Sequence, residues 1–472
     1  MLKIRSITLA LLVALPVQAL ELPDLGEVSR VALTEANEKR IGREIMRQIR
    51  DEGVYLDDPV LVEYLNSLGE RLAAASPEPG LRFEFFPVRD SSINAFALPG
   101  GYVGVHTGLI SAARSESELA GVVAHEIAHV TQHHIARIVD AQKTSGMASL
   151  VALAIAILAA RSNPDATQAA LVTAQAMSIQ NQLDFTREHE READRVGLQT
   201  LSSAGFAPQG MGTFFERLQA QGRLYENNAP AYLRTHPLTF ERIADIQNRL
   251  ASLPYRQIPD SEEFGLVRAR VQAAAGAADD AVREFEARVR EQPSAAAWYG
   301  LAHASLRGVP NLERAARALD KAISLSMPSP LLDLARMELA LARGQAGEAI
   351  KIGVAAQITH SAYRPLAYLH AQALLRDKQP QEALKFLRER QLIWSSDSKL
   401  YALQAQAHQA LGESAQSSLA QAEAYVLEDR SGAAIEQLLL AQKSGKADFY
   451  TLSIIDARLR NLREKQQKEA PR

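Results

Sequence analysis

Apolar and polar residues recur with a helical period along most of this chain of 472 residues. Residues 34–50 and 58–75 predict two amphipathic helices, because their apolar positions fall three and four residues apart. Asp58 precedes the body of the second helix and fits its N-cap position. Ser115 and Glu118 predict a capping box at the start of a third helix, in which each side chain bonds the other residue's backbone amide. The amino-terminal half is therefore predicted to be largely helical.

A different pattern, the alternation of apolar and polar residues, marks a short region between these helices. Residues 81–88 alternate and are rich in phenylalanine, which predicts a strand. Residues 93–98 and 102–105 are separated by Pro99-Gly100-Gly101, which predicts a β-hairpin. A small β-sheet is therefore expected inside a mainly helical domain.

The third predicted helix carries the residues with the clearest chemistry. His125, Glu126 and His129 match the pattern H-E-x-x-H, and residues four apart lie on one face of a helix. The two imidazoles can therefore bind one zinc ion, which in catalytic sites has three protein ligands and a water. Glu126 lies beside that water and can act as general base in the attack on a peptide carbonyl. The alternative is a chance match, but buried polar residues in an apolar helix need partners, and a metal supplies them.

A third ligand is expected from a charged stretch further along the chain. Glu190 and Asp194 are four apart, so Glu190 can bind the zinc while Asp194 accepts a hydrogen bond from a ligand histidine's second nitrogen. Gly197 lies on nearly the same face, which predicts a close approach of the His125 helix. The alternative is a solvated run of charges, and that is our interpretation of the neighbouring residues Arg187, Glu188, Arg191 and Glu192.

Composition excludes several classes of function. The net charge is only −3, which gives no field for binding nucleic acid. The chain contains no cysteine, which excludes disulfides, thiolate metal sites, a cysteine nucleophile and a lipid-modified cysteine anchor.

Two apolar stretches bear on localisation. Residues 1–19 predict a cleaved secretory signal, because Lys3 and Arg5 precede a short apolar core and small residues end it; an uncleaved anchor is the alternative. The mature protein is then expected outside the cytoplasm. Residues 148–160 are almost wholly apolar but too short to predict a membrane span. They favour a buried helix, with a cover that touches the membrane as the alternative, and residues 164–182 predict another helix.

The motif residues together resemble a known family. His125 to His129, the Glu190-x-x-Ala193-Asp194 pattern and the segment 94–101 are similar to the zinc metallopeptidases related to the CAAX prenyl protease. This resemblance implies that Glu190 is the third zinc ligand. It also favours an edge strand beside the zinc to which substrate peptide adds by main-chain hydrogen bonds. The candidate substrate-binding residues are Asn94, Ala95 and Phe96, and a purely structural hairpin is the alternative.

A polar stretch, residues 222–240, holds one more candidate. Pro237 keeps His236 out of helical geometry, and on the residues alone His236 is an exposed loop histidine. The resemblance implies that it lies near the active site and either occupies the fourth zinc position, holding the enzyme inactive, or stabilises the oxyanion. Arg242 in the next helix is a candidate anchor for Asp194. His133 is predicted to lie away from the metal, because a straight helix carries it past His129.

From about residue 264 the composition changes to short helical runs rich in alanine, leucine, glutamine and arginine. Candidate units begin near Ala296, Leu331, Leu366 and Lys399, at intervals of 35, 35 and 33 residues. This period predicts tetratricopeptide helix pairs that stack into a solenoid and bind segments of a partner. The alternative is a helical bundle without repeats.

The predicted fold is mainly α: a zincin-like α+β metallopeptidase domain with a small β-sheet over residues 20–255, then an all-α tetratricopeptide-repeat solenoid over residues 264–465. The predicted function is a periplasmic zinc metalloendopeptidase with one Zn²⁺ per chain. The signal sequence and repeats narrow the resemblance to periplasmic members. These imply unfolded or stalled outer-membrane β-barrel proteins as clients, the barrel-assembly machinery as partner, possible peripheral membrane contact and a chaperone-like role. The alternative is a non-proteolytic assembly scaffold with a structural zinc and a repeat docking domain.

Overall fold

The computed structural model describes residues 34–142, 187–224, 231–253, 257–444 and 448–469. The predicted signal sequence, the apolar segment 148–160 and the helix 164–182 lie outside these ranges. Within them, no helix has the length and apolar character needed to cross a membrane.

The first two helices match the sequence prediction to within a residue at each end. Helix α1 is Glu35–Asp51 and helix α2 is Pro59–Ala74. The Asp58 carboxylate accepts hydrogen bonds from the first free amides of α2, at 2.9 Å from the amide of Val60, so the predicted N-cap is confirmed. Helix α1 buries its apolar face against the small sheet, and α2 buries its own against the sheet and the helices that follow.

The sheet has three strands in the order β1-β3-β2. They are β1 Glu84–Val88, β2 Ala95–Leu98 and β3 Tyr102–His106. Strand β3 pairs parallel to β1 and antiparallel to β2, so the predicted hairpin is confirmed. Strand β1 begins later than predicted, at Glu84, because its partner strand begins only at Tyr102, after the turn. Strand β2 pairs with no other strand among the described residues, which leaves it at the edge of the sheet.

The central helix of this half is α4, which follows the short helix α3. Helix α3 is Thr107–Ala112, α4 is Glu116–Thr131 and α5 is His134–Gln142. Nearly every side chain of α4 is buried. The Ser115 hydroxyl accepts from the amide of Glu118 at 3.2 Å, but the predicted return bond is wrong. The Glu118 carboxylate instead accepts from the amide of Arg114 at 2.7 Å, because it also binds the guanidinium of Arg217 at 2.7 Å, which draws it away from Ser115.

Among the described residues, four more helices belong to the amino-terminal half: α6 Arg187–Ser203, α7 Gln209–Leu224, α8 Ala231–Thr235 and α9 Phe240–Ser252. Helix α6 crosses α4 at Gly197, as the sequence predicted. A Cβ atom on Gly197 would lie 3.0 Å from the Cα and 3.1 Å from the backbone nitrogen of His125. The glycine therefore lets two backbones approach at the point where the motif helix needs a partner.

This contact predicts a stability difference between two helical glycines. Gly197→Ala lowers the free energy of unfolding, because overpacking against backbone costs about 1–3 kcal/mol and outweighs the gain of about 1 kcal/mol in helix propensity. Gly347 is the control, since nothing lies within 4 Å of its added Cβ. Gly347→Ala raises that free energy by up to about 1 kcal/mol. Urea denaturation of both variants measures the difference, and equal stabilisation would contradict the close approach.

The carboxy-terminal half consists of helices α10 to α21, which are Glu262–Ala274, Ala278–Glu291, Ala295–Ser305, Leu312–Ser324, Pro330–Ala342, Ala346–Thr359, Arg364–Arg376, Pro380–Ile393, Ser398–Ala410, Ser414–Leu427, Ser431–Lys443 and Phe449–Glu469. They form successive pairs whose first helices begin 33 to 35 residues apart. The four predicted units start within two residues of α12, α14, α16 and α18. One further pair precedes them and one follows. The predicted mainly α fold class, with a small sheet and helical repeats, is confirmed.

The repeats pack directly on the amino-terminal half. The amide of Glu116, the first residue of α4, donates to the Asp260 carboxylate at 2.7 Å. In return the Glu116 carboxylate accepts from the amide of Ser261 at 3.0 Å, and Ser261 caps α10. The Asp58 cap of α2 accepts from Arg270 of α10 at 2.9 Å. One hydrophobic core runs from α2 through α4 into the repeats.

Candidate metal centre

Four buried side chains converge where α4, α6 and the residues after α8 meet: His125, His129, Glu190 and His236. The Nε2 atoms of His125 and His129 are 3.0 Å apart, and each lies 3.5 Å from a Glu190 carboxylate oxygen. The Nδ1 atom of His236 lies 3.4 Å from His125 Nε2 and 3.0 Å from Glu190 Oε1. The helical spacing thus places His125 and His129 on one face of α4. The packing of α6 and of the residues after α8 brings Glu190 and His236 to them.

The geometry of this cluster fits a zinc ion. Zinc bonds of about 2.0–2.1 Å in a tetrahedron place neighbouring ligand atoms about 3.3–3.4 Å apart. Five pairs of donor atoms are 3.0 to 3.5 Å apart when either oxygen of Glu190 is counted. One donor atom from each of the four residues lies within 4.8 Å of the others. Three imidazoles and a carboxylate are also a donor set that zinc accepts. These residues therefore fit the metal that the motif predicts.

Two further charged residues hold the ligands in place. His125 Nδ1 lies 3.1 Å from Asp194 Oδ1, which is where the sequence placed this carboxylate. Arg242 donates to both Asp194 oxygens at 2.7 and 2.8 Å. Its third nitrogen lies 2.7 Å from Glu190 Oε2. The predicted anchor for Asp194 is confirmed, and it holds Glu190 as well.

These contacts set the protonation of the ligands. Burial lowers the pKa of His125, but the carboxylates of Asp194 and Glu190 outweigh it and raise that pKa to about 9. Burial raises the pKa of Glu190, yet the charges of His236, His125 and Arg242 hold it well below its usual range. Burial keeps the pKa of His129 well below its usual range. Glu190 is therefore anionic, as a metal ligand must be.

Glu126 lies beside the cluster without belonging to it. Its carboxylate is buried, and Oε1 lies 3.6 Å from Nε2 of His236. Burial raises the pKa of Glu126, and the charges of His236 and His125 oppose this rise. A carboxylate with a raised pKa is suited to accept a proton near neutral pH. His236 thus presents one ring nitrogen to the metal-binding groups and the other to Glu126.

The segment that carries His236 is ordered by a tyrosine that the sequence analysis missed. The amide of His236 donates to the carbonyl of Tyr232 at 2.8 Å, and the two rings stack with centroids 4.7 Å apart. The amide of Tyr232 donates in turn to the carbonyl of Ile93 at 3.1 Å. His236 is only 2% exposed, so its interpretation as an exposed loop histidine is wrong. The polar composition of residues 222–240 predicted an exposed loop. Tyr232 stacks on His236 because residues 231–235 form helix α8, which that composition does not reveal.

Strand β2 lies along α4, next to the cluster. Asn94 is fully buried, and its side-chain amide has no hydrogen-bond partner among the described residues. Ala95 is also buried, while Phe96 is partly exposed and makes edge contacts with the rings of Phe86 and His106. The backbone of Ala97 hydrogen-bonds the Glu126 carboxylate. The exposed edge of the sheet and the candidate base are thus neighbours.

The residues just after the motif depart from a straight helix. Helix α4 ends at Thr131, and His133 has a left-handed φ of 50°. His133 lies 3.4 Å from the Glu78 carboxylate, outside the metal-binding cluster, as predicted. The turn at His133 brings the next residue, His134, back against His129, with their Nδ1 atoms 2.8 Å apart. Sequence reasoning assigned His134 no role, because a straight helix places it elsewhere.

The interpretation of Glu192 as a solvated charge is also wrong. Its carboxylate lies 3.2 Å from Nε2 of His134 and accepts from Arg137 at 2.7 Å. Burial and the proximity of His189 lower the pKa of His134 to about 3. The charge run thus has one buried side facing α5, while Arg191 pairs with Glu241 on the surface. Charge alone could not reveal which members of the run face inward.

Comparisons with known proteins place this chain among peptidases. The family model described as "Peptidase family M48" matches residues 59–250, which include all four members of the cluster. The chain is 36% identical over 459 residues to the beta-barrel assembly-enhancing protease of Escherichia coli, covering 95% of this chain and 93% of that protein. It is 44% identical over 270 residues to a putative beta-barrel assembly-enhancing protease of Vibrio cholerae, covering 57% of this chain and 56% of that one.

A more distant similarity covers less than half of the chain. The chain is 31% identical over 210 residues to the mitochondrial metalloendopeptidase OMA1 of Schizosaccharomyces pombe, which is 44% of this chain and 58% of that protein. The match to the Escherichia coli protein extends through the helical repeats as well.

Proposed function

We propose, from the premise that this chain belongs to peptidase family M48, that it is a periplasmic zinc endopeptidase acting on outer-membrane β-barrel proteins. Family membership follows from the matches over residues 59–250 and over 95% of the chain. The observation that carries the proposal is the buried cluster of His125, His129, Glu190 and His236 with Glu126 beside it. A carboxylate next to a metal-binding cluster is the arrangement that metal-assisted hydrolysis of a peptide bond uses.

His125, His129 and Glu190 hold one Zn²⁺ per chain in this proposal, and Asp194 and Arg242 orient them. The ion supplies Lewis acidity, which lowers the pKa of a coordinated water to about 7 and polarises a peptide carbonyl. Glu126 accepts the proton of the attacking water and then donates it to the leaving amine. Its burial and raised pKa suit both steps.

His236 acts as a block to this chemistry in the resting enzyme. Its Nδ1 stands where a fourth ligand belongs, and its Nε2 faces the base Glu126. A water molecule would need the place that His236 now takes beside His125 and Glu190, so His236 would have to leave before hydrolysis. The residues after α8 therefore limit activity by their motion. The alternative role for His236 is to stabilise the oxyanion.

Substrate binds along the edge of the sheet in this proposal. An extended peptide adds to β2 through main-chain hydrogen bonds, and β2 is an edge strand next to Glu126. Asn94, Ala95 and Phe96 are the proposed substrate-binding residues. The unpartnered amide of Asn94 favours a polar contact with bound peptide. Main-chain recognition of this kind tolerates many sequences, which suits an enzyme that removes misassembled proteins.

The client class and the compartment follow from the relatives' name and from the sequence. The Escherichia coli relative is a beta-barrel assembly-enhancing protease. Residues 1–19 are the proposed signal peptide, residues 20–255 the peptidase domain and residues 264–465 the repeat domain. We propose that the repeats dock unfolded or stalled β-barrel proteins and the barrel-assembly machinery. Client binding without cleavage then gives a chaperone-like activity.

A second candidate function is a non-proteolytic assembly scaffold. Four protein donors around one position form a closed site, and closed sites are typical of structural zinc. In that case the function is partner binding by the repeats, and the ion only stabilises the packing of α4 against α6. The position of Glu126 favours the peptidase, because a structural site has no use for a buried carboxylate beside it.

Metal removal separates the two candidates. Treating the purified protein with a chelator abolishes cleavage of an unfolded β-barrel protein, and one equivalent of zinc restores it, because the ion activates the water. Cleavage followed by gel electrophoresis is the measurement, and client binding measured in parallel is the control. Cleavage that continues in the chelated protein contradicts the metallopeptidase. Binding without any cleavage in the zinc-loaded protein, even after His236→Ala, favours the scaffold.

A further inference from the structure

A row of polar side chains extends from the ligand His129 away from the metal-binding groups. Its Nε2 faces His125 and Glu190, while its Nδ1 lies 2.8 Å from Nδ1 of His134. The Nε2 of His134 lies 3.2 Å from Oε2 of Glu192. Arg137 donates to the same Glu192 oxygen at 2.7 Å. The ligand is thus joined to a carboxylate through a second imidazole.

The protons in this row can be assigned in only one way. A histidine nitrogen that binds a metal carries no proton, so His129 must hold its proton on Nδ1. That N–H donates to His134, whose Nδ1 therefore accepts and is bare. A neutral His134 then carries its proton on Nε2 and donates it to the Glu192 carboxylate. Glu192 thus fixes the tautomer of His134, and His134 fixes the tautomer of His129. Arg137 holds the Glu192 carboxylate in place by its hydrogen bond.

Packing holds His134 in this position. Its side chain is fully buried, and its ring stacks on that of His189 with centroids 4.5 Å apart at 19°. His134 and Arg137 are one turn apart on α5, so both reach Glu192 on α6. The left-handed residue His133 makes the turn that brings α5 to this place. The row therefore depends on three elements, α4, α5 and α6.

We propose that His134 is a positioning residue for the zinc ligand His129, acting as a hydrogen-bond acceptor that fixes its tautomer and ring orientation. This inference rests on the metal site of the proposed function. The two ligand histidines are then supported differently. His125 has a carboxylate partner, Asp194, at 3.1 Å. The partner of His129 is instead the neutral imidazole of His134, which in turn contacts the carboxylate of Glu192. The neutral partner orients His129 without placing another negative charge beside the ion.

The test compares two substitutions of similar size. His134→Asn keeps an acceptor oxygen near the position of Nδ1, and His134→Leu fills the space without one. The readout is the zinc dissociation constant of the full-length protein, measured by competition with a chromogenic chelator at constant pH. We expect His134→Leu to weaken zinc binding about 10–100-fold, the range for loss of a partner that orients a ligand. His134→Asn recovers most of that loss.

Further variants keep the test decisive. His133→Asn is the control, because asparagine tolerates the left-handed conformation and His133 lies outside the metal-binding cluster, 3.4 Å from the Glu78 carboxylate; its zinc affinity stays that of the wild type. If His134→Leu fails to fold, Glu192→Met breaks the row further from the ion and weakens binding in the same direction. A role in packing alone predicts that His134→Leu binds zinc at least as tightly as His134→Asn.

The possible failures are distinguishable. Equal zinc affinity of His134→Asn, His134→Leu and the wild type overturns this inference and leaves the proposed function intact. Equal weakening by both substitutions overturns the acceptor role as well. A wild-type protein that binds no zinc overturns the proposed function and this inference together.

Discussion

Replacing Glu126 with glutamine lowers kcat/KM for cleavage of an unfolded β-barrel protein by about 10²–10⁴-fold, the usual contribution of a general base. Glutamine has the same shape but cannot accept the proton of the attacking water. The carboxylate is buried 3.6 Å from His236, and its raised pKa fits a base that works near neutral pH. The rate of peptide-bond cleavage, measured with a fluorescent client, gives the ratio.

Two controls accompany this variant. Zinc content stays at the wild-type level in Glu126→Gln, because Glu126 does not belong to the metal-binding cluster. Client binding also stays unchanged, because the repeats and the sheet edge are intact. Undiminished cleavage by Glu126→Gln contradicts the proposed base, and loss of zinc in that variant contradicts its placement outside the ligand set.

Replacing His236 with alanine raises cleavage by about 10–100-fold if the open state is populated at about 1–10% in the wild type. The reason is geometric. His236 Nδ1 lies 3.0 Å from Glu190 and 3.4 Å from His125, and its Nε2 lies 3.6 Å from Glu126. In the proposed resting state His236 is the fourth donor, so its removal frees both the water site and the base. Self-cleavage rises as well, and its products are measured by mass spectrometry.

The double variant Glu126→Gln with His236→Ala serves as the matched control for this prediction. It retains the open site without the base, so the increase disappears if the same centre performs the cleavage. Zinc affinity falls in His236→Ala because one donor is lost, and cleavage is therefore compared at saturating zinc. If zinc-loaded His236→Ala cleaves the client no faster than the wild type, His236 takes part in catalysis and does not block the site.

The local part of this site was predictable from the sequence, and the long-range part was not. The spacing of His125 and His129 placed both imidazoles on one helix face, and Gly197 predicted the crossing with α6. These inferences worked because helical geometry depends on neighbouring residues. Glu190, 61 residues beyond His129, rested on its spacing to Asp194 and on the family resemblance.

The errors have a common physical cause. Glu118 does not make the predicted capping bond, because its carboxylate accepts a hydrogen bond from Arg217, about a hundred residues along the chain. His134 and Glu192 met only because His133 adopts a left-handed conformation that no periodicity reveals. In each case a distant charge or an irregular backbone turn outweighed local preference. The predicted repeat period, by contrast, agrees with the observed helix pairs, because each pair contacts its neighbours in the same way.

The exchange of hydrogen bonds among Glu116, Asp260 and Ser261 makes the two halves poor candidates for independent expression. A protein cut between residues 255 and 260 loses the acceptor for the first amide of the catalytic helix and exposes apolar surface that the repeats now cover. Such a fragment is expected to melt from the end of the very helix that presents the zinc ligands. The repeats therefore also stabilise the end of the helix that carries His125 and His129.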